Sequence, residues 1–464
     1  MHDVLIIGSG LGGLACGTLL ARQGLKVCVL ERSHQPGGCM QSFRRAGLHY
    51  DTGLHYVGGL APGQHMHRAF TELGLMDLPW QRMDEAFDHI IIGGRHFDFH
   101  QGYEAFAEHL AKDFPHQRDA LHRFVERLQH ITTDDMDVAA YDYLRQTFSD
   151  EMLLNVVSAA AMKTELRRES LPLFNFAHTC SSYIESSWRL KGEGNLLVSK
   201  LMENIQGAGG EIHTDSEVTG IIETDGHVAG VVTADGRTYE ATHVISDVHP
   251  ALLCRMLDDC PSIHKAFKRR MSSKPNTCGM FTAQLSIKPG ALRYFAHNVF
   301  VYDQPNVWTL AEDNTPVKGV MMSARVPDDG TDTLRQLDLL TYMPWHECEA
   351  WTQTHVGQRG DDYKAFCQEK TRQCLRLAEQ YIPGLSGMVE HCYTSTPLTY
   401  RDYLGSPEGS AFGIRKDCRA SMLSFFPVTT PLEGLLLTGQ NIILPGIEGV
   451  TMTAFETCRK VLGQ

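Results

Sequence analysis

The first 31 residues constrain this chain more than any other stretch. Val4–Ile7 is a short apolar and β-branched run, followed at once by Gly8-Ser9-Gly10-Leu11-Gly12-Gly13. Small and apolar residues from Leu14 to Gln23 then suit a helix, and Gly24 stops it. Lys26–Leu30 reads as a second strand ending at Glu31. Strand, glycine loop, helix, strand and terminal acid in that order predict a βαβ dinucleotide-binding unit. Gly8 permits the tight turn, Gly10 lets backbone approach a pyrophosphate, and Gly13 lets the helix close on the sheet. Leu11 and Gly12 complete the loop at a helix N-terminus, whose unpaired N–H groups suit phosphate. Glu31, at a strand end, is placed to accept hydrogen bonds from a ribose, and an acid there disfavours a 2′-phosphate. The pattern alone does not separate FAD from NAD.

Further along, Gln35–Gly59 is glycine-rich and contains Pro36-Gly37-Gly38, which predicts tight turns or backbone close to a ligand. Phe87–Ile92, Gly93-Gly94 and Arg95–Phe99 read as a β-hairpin, with helices from Tyr103 to about Ala160. Leu196–Gln206 reads as a helix, Glu211–His213 as a strand, and Val218–Glu223 with Val228–Thr233 as a hairpin before the strand Thr242–Ser246. Strand candidates continue at Met280–Ile287, Val299–Tyr302, Val320–Arg325 and Leu337–Tyr342, with a helix over Asp361–Tyr381. The chain closes with the strand Leu435–Thr438, the turn Gly439-Gln440-Asn441, and a helix from about Gly449 to Leu462. The economical architecture is α/β: a Rossmann-like cofactor domain from residues 1–75, 186–250 and 427–464. A mixed α+β substrate domain is inserted as 76–185 and 251–426.

Composition narrows the classes. With 464 residues the chain exceeds one small domain, and a net charge of −13 opposes a broad nucleic-acid surface. Thirteen scattered cysteines without CxxC favour a reducing compartment over a disulfide framework. No apolar stretch approaches a membrane span, and no signal-peptide pattern precedes Asp3. The expected location is cytoplasmic, with peripheral membrane contact open. HExxH, clustered cysteines and an Asp-rich calcium loop are absent, so no metal is expected. GxSxG is absent too, which argues against a serine nucleophile.

Several stretches together resemble a known family. Glu31-Arg32 to Gly37-Gly38, Asp51-Thr52-Gly53-Leu54-His55-Tyr56, Gly192-Glu193-Gly194, and Thr396-Pro397-Leu398-Thr399 to Gly409-Ser410-Ala411 are similar to the phytoene desaturase, carotenoid isomerase and retinol saturase superfamily. So is the closing run Leu436–Gln440 with Pro445-Gly446-Ile447-Glu448-Gly449-Val450. The likeness spans essentially the whole chain and implies a glutathione-reductase-type FAD fold. It also implies a partly apolar substrate tunnel and chemistry on the carbon–carbon double bonds of conjugated isoprenoids. By that resemblance Gly8, Gly10 and Gly13 contact the pyrophosphate and Glu31 the ribose, with Arg32 alongside. Gly37, Gly38 and Gln41 lie along the cofactor, Val218 sits beside the adenine, and Gly439, Gln440, Gly449 and Val450 lie at the flavin end.

The chemistry then needs a proton source or charge management beside the flavin. His55 is the first candidate, with an ordinary pKa near neutrality, and Tyr56 and His49 follow; packing in the cofactor loop is the alternative role for His55. Tyr400 and Tyr403 either line a substrate mouth or form an aromatic turn between domains. Trp188 and Phe412 are tunnel candidates. Arg44-Arg45 reads as an exposed basic pair or a phosphate partner. The expected activity is saturation of a double bond, with desaturation or cis-trans isomerisation as alternatives. Amine or porphyrinogen oxidation and non-enzymatic prenyl-lipid binding are more distant ones. The glycine fingerprint occurs once, so any nicotinamide donor would use another surface or a separate electron partner.

Overall fold

In the computed structural model, which describes Met1–Gln464, two seven-stranded sheets organise the chain. The first has a parallel core ordered Glu211–His213, Val27–Leu30, His2–Ile7, Thr238–Ser246 and Leu435–Leu437. Its central strand is buried on both faces, as parallel strands require, with Val4 and Ile6 pointing one way and Leu5 and Ile7 the other. On the first face the helix Leu11–Arg22 packs between Asn195–Gly207 and Gly446–Val461. The second is covered by the antiparallel meander Val218–Thr224, His227–Thr233 and Thr238–Ser246, with the helix Pro250–Met256. This is a Rossmann-like α/β region whose strands come from three separated parts of the chain.

The second sheet runs in the order Val389–Ser395, Gly279–Ile287, Gln336–Met343, Gly319–Ala324, Asn298–Tyr302, Ala86–Ile92 and Arg95–His100. All neighbours are antiparallel except Asn298–Tyr302 with Ala86–Ile92. Helices between Tyr103 and Glu185 bury one face around Phe87, Phe97, Phe106 and Trp308. The helix Gly360–Ala378 buries the other against Phe281, Leu285 and Val301.

Three features differ from the sequence reading. The glycine-rich stretch contains a hairpin, Ser42–Arg45 with Leu48–Asp51, because Ala46-Gly47 adopts positive φ and turns the chain back. The last helix starts at Gly446, three residues before Gly449, directly after Pro445, which cannot continue a helix backwards. Trp188 lies in the strand Ser187–Leu190 between Val57–Gly58 and Trp80–Arg82. There its ring packs on the first domain's core and its indole N–H donates to Ser186 Oγ at 2.9 Å. No helix is long and apolar enough to cross a membrane, and all thirteen cysteines are free.

The same strand carries Arg189, 2% exposed, whose guanidinium ties it to the second sheet. It donates to Phe295 O at 2.9 Å, His297 O at 2.7 Å and Asn298 Oδ1 at 2.8 Å. Arg189→Ala would strand these buried acceptors, each costing about 1–3 kcal/mol. The expected result is a Tm drop that Arg189→Lys only partly restores; an unchanged Tm on thermal unfolding would refute the tie.

Candidate active site

The carboxyl ends of the parallel strands converge on Gly8–Gly13, the location where open α/β sheets place ligands. Gly8 has φ +99°, and a Cβ on Gly13 would stand 2.2 Å from Gly8 O, so only glycine lets the helix meet this loop. Glu31 is buried at the end of its strand, accepting Ser9 Oγ at 2.6 Å, Ser9 N at 3.0 Å and Ser33 N at 2.8 Å. Gly37, at φ +117°, donates its N–H to the same Ser9 Oγ at 3.1 Å.

From this cradle a cavity of about 650 Å³ runs to the inner face of the second sheet. Gly8, Gly10, Leu11, Gly12 and Glu31 line it beside the glycine loop. Arg32, Gly38, Gln41 and Val218 also reach it, although the Gln41 amide turns away to donate to Gln35 O. Gln440, Gly449 and Val450 line it too, at the first turn of the helix Gly446–Val461. Gly13, Gly37 and Gly439 lie just behind the lining. His55, Tyr56, Tyr400, Tyr403 and Phe412 share the cavity, with Tyr403 half exposed at its rim, where its carbonyl accepts Arg32 Nη2.

Other candidates sit elsewhere. Trp188 does not reach the cavity; cross-strand pairing fixes it in the core of the first domain. Arg44 and Arg45 are exposed on the hairpin, and His49 pairs with Glu193 at 2.7 Å. Arg401 and Asp402 turn from the mouth to anchor the 352–359 segment through Thr352 O and Arg359.

The electrostatics redistribute the roles assigned to His55 and Tyr56. Burial, aided by Arg189, pushes the His55 imidazole down to about 4. Its neighbour Asp338, 3.7 Å away, is pushed up to about 8 by burial and by Asp51. Both shifts favour the neutral forms of the pair over an ion pair. Tyr56 donates to Asp88 Oδ2 at 3.0 Å and accepts from Lys163 Nζ, while burial and Asp88 hold its phenol well above its usual range. Lys163 lies over the Tyr183 ring at 3.6 Å and the Tyr56 ring at 4.5 Å. Burial lowers this ammonium to about 8 against the opposing pull of Asp88. It is a cavity-lining group poised to exchange a proton near neutral pH.

Two more charged groups escaped the sequence reading. Glu448 Oε1 pairs with His178 Nδ1 at 3.0 Å and His65 Nε2 at 3.1 Å. Burial opposes its charge, yet the two histidines hold the carboxyl down at about 2. Lys416, fully buried, donates to Ser424 O, Asn441 O and Ile442 O at 2.7–3.0 Å and so clamps the turn after Gln440. Long sequence separation hides both. Asp247 had a usable signal, since it follows the strand Thr238–Ser246 at its carboxyl end.

Gly10, Gly12 and Gly439 form a cradle of bare backbone around Asp247: a Cβ on any of them would stand 2.3–2.6 Å from its carboxylate oxygens. Asp247 Oδ2 accepts Gly13 N at 2.9 Å at the helix N-terminus. Asp247 thus takes up the Gly13 N–H, while Gly10, Leu11 and Gly12 line the cavity at the start of the helix, where N–H groups without an intrahelical acceptor suit a pyrophosphate.

A Rossmann-like cradle opening into a partly apolar cavity is the arrangement of a dinucleotide-binding protein with room for a second ligand. The chain matches the model for flavin containing amine oxidoreductase over residues 11–462 and belongs to that family. It is 24% identical to all-trans-retinol 13,14-reductase of Danio rerio over 99% of this chain and 86% of that relative. Prolycopene isomerase 2, chloroplastic, of an Oncidium hybrid cultivar is 23% identical over 98% of this chain and 82% of its own length. A solved oxidoreductase from Methanosarcina mazei shares the fold with a TM-score of 0.69 at 16% identity, each chain covered fully.

Burial raises the Asp247 carboxyl from 3.8 to about 7, with Glu31 adding to the shift and the Gly13 N–H opposing it. An acid raised on folding contributes stability that is whole below its unfolded value and lost as pH climbs through its folded one. Asp247→Asn should therefore raise Tm above wild type at pH 8 and lose that advantage by pH 4. Parallel Tm–pH curves for the two proteins would disprove the buried charge.

Proposed function

We propose that this protein is an FAD-dependent oxidoreductase that saturates a carbon–carbon double bond of a conjugated isoprenoid, retinoid-like or carotenoid-like. One observation carries the reading: the cavity continues from the cradle past Met162, Met280, Met321 and Leu340, and in that apolar stretch holds Lys163. A bound flavin would supply the hydride. This chain supplies the shape and the proton. Lys163 is the donor, and Tyr56 and Asp88 hold its ammonium aimed into the cavity; His55, neutral and turned to Asp338, packs the cofactor loop. Gly8, Gly10, Gly13, Glu31, Gly38 and Val218 hold the nucleotide, and Gln440, Gly449 and Val450 the flavin end. Tyr400, Tyr403 and Phe412 flank the substrate, and the two sheets correspond to a cofactor domain and an inserted substrate domain. A cytoplasmic enzyme meeting apolar substrate at a membrane surface completes the reading.

Desaturation and isomerisation use the same cavity. Saturation ranks first because it alone consumes a proton at carbon. Amine oxidation, the activity in the family's description, fits less well: the Tyr56–Tyr183 aromatic box that would welcome an ammonium is filled by Lys163.

Gently purified protein should show flavin absorbance and release FAD on denaturation; a colourless protein that takes up no added FAD would remove the redox reading altogether. With photoreduced enzyme and all-trans-retinol, single-turnover reoxidation should survive His55→Ala and fall by about 100-fold in Lys163→Met, the usual worth of a positioned acid. In wild type the rate should decline as pH rises through about 8, where the ammonium discharges. A Lys163→Met enzyme with the wild-type rate and pH profile would exclude Lys163 as the donor.

A further inference from the structure

The hairpin of Ala86–Ile92 and Arg95–His100 brings three potential ligands together far from any sequence motif. His89 pairs directly with Asp98, and His96 precedes Asp98 by two residues, so all three side chains share one face. His89 Nδ1 and His96 Nε2 are 3.1 Å apart, His96 Nε2 and Asp98 Oδ1 3.1 Å, and His89 Nδ1 and Asp98 Oδ1 3.5 Å. Two donors held about 2.0–2.1 Å from a tetrahedral zinc ion lie about 3.3–3.4 Å apart. The three distances describe one face of such a tetrahedron.

The surroundings support the same conclusion. Asp98 Oδ1, though close to both imidazoles, makes no well-aligned hydrogen bond with either, and a cation would satisfy it. His89 stacks on His297 at 3.9 Å, and His297 is fixed by Asp84 at 3.0 Å and by the Tyr381 hydroxyl at 2.6 Å. The stacking partner of His89 is therefore itself held in place by two hydrogen bonds. His96 and Asp98 remain 47% and 44% exposed, which leaves the fourth position open to solvent. The bland alternative is a proton on His96 shared between two acceptors. It uses one hydrogen where three lone pairs converge.

We propose that His89, His96 and Asp98 form a surface site for a divalent first-row metal ion, zinc in the first instance, that staples this hairpin independently of the cofactor cavity. None of the three residues lines that cavity, so the site does not depend on the redox reading. No metal is legible in the sequence because the three residues match no ligand motif and converge only when the hairpin pairs.

The test uses tag-free holoprotein, stripped with chelator, desalted and titrated with zinc chloride by calorimetry, with metal content measured after a second desalting. One tightly held zinc per chain is expected, as are tetrahedral cobalt bands when cobalt(II) replaces zinc. His96→Ala, a change at an exposed position, should weaken binding by roughly 100-fold or more, since even loss of an outer-shell partner costs 10–100-fold. His122→Ala, in the separate Glu104–Glu108–His122 group, should leave stoichiometry at one. No retained zinc, or one zinc still held tightly by His96→Ala, would overturn the site. Far-UV circular dichroism of His96→Ala separates loss of a ligand from loss of the fold.

Discussion

The contact between the helix Leu11–Arg22 and the turn before it underlies the rest of the structure. With 2.2 Å between Gly8 O and any Cβ at Gly13, the helix reaches the sheet only as bare backbone. That approach lets Asn195–Gly207 and Gly446–Val461 pack on its flanks, and it brings the helix N-terminus to the open ends of the parallel strands. The cradle, the buried Glu31 and the placement of Gly439 all follow from this closure.

Around it, the cavity is governed by desolvation more than by pairing. Lys163 and Asp247 are displaced toward neutrality by burial, whereas Glu448 stays charged because two histidines compensate it. The charged groups divide accordingly. Those with full compensation, such as Glu448 with His65 and His178, hold architecture. Those without it keep a proton that can be exchanged.

The βαβ opening was legible because every element of it is local: strand, loop, helix and acid follow within 31 residues. The paired strands of the second sheet were legible too, since Met280–Ile287 and Leu337–Tyr342 are short segments rich in apolar residues. The short strand Ser187–Leu190 was not, because its partners lie over a hundred residues away and its Trp188 has the composition of a tunnel residue. The same limit hid Lys163. Nothing in Ala160-Ala161-Met162-Lys163 marks it, and its setting comes from Tyr56, Asp88 and Tyr183, which folding brings around it. For His55 the sequence offered only the ordinary imidazole value, and burial among residues distant in the chain lowers it.

The last parallel strand, Leu435–Leu437, pairs with Val244–Ser246, and Gly439 beyond it closes against Asp247. The phosphate cradle is therefore split across nearly the whole length of the chain. Its two halves meet only once the chain from Leu435 to Gly439 is in place, so a chain cut before Gly439 would keep its glycine fingerprint intact and still lack one wall of the cradle.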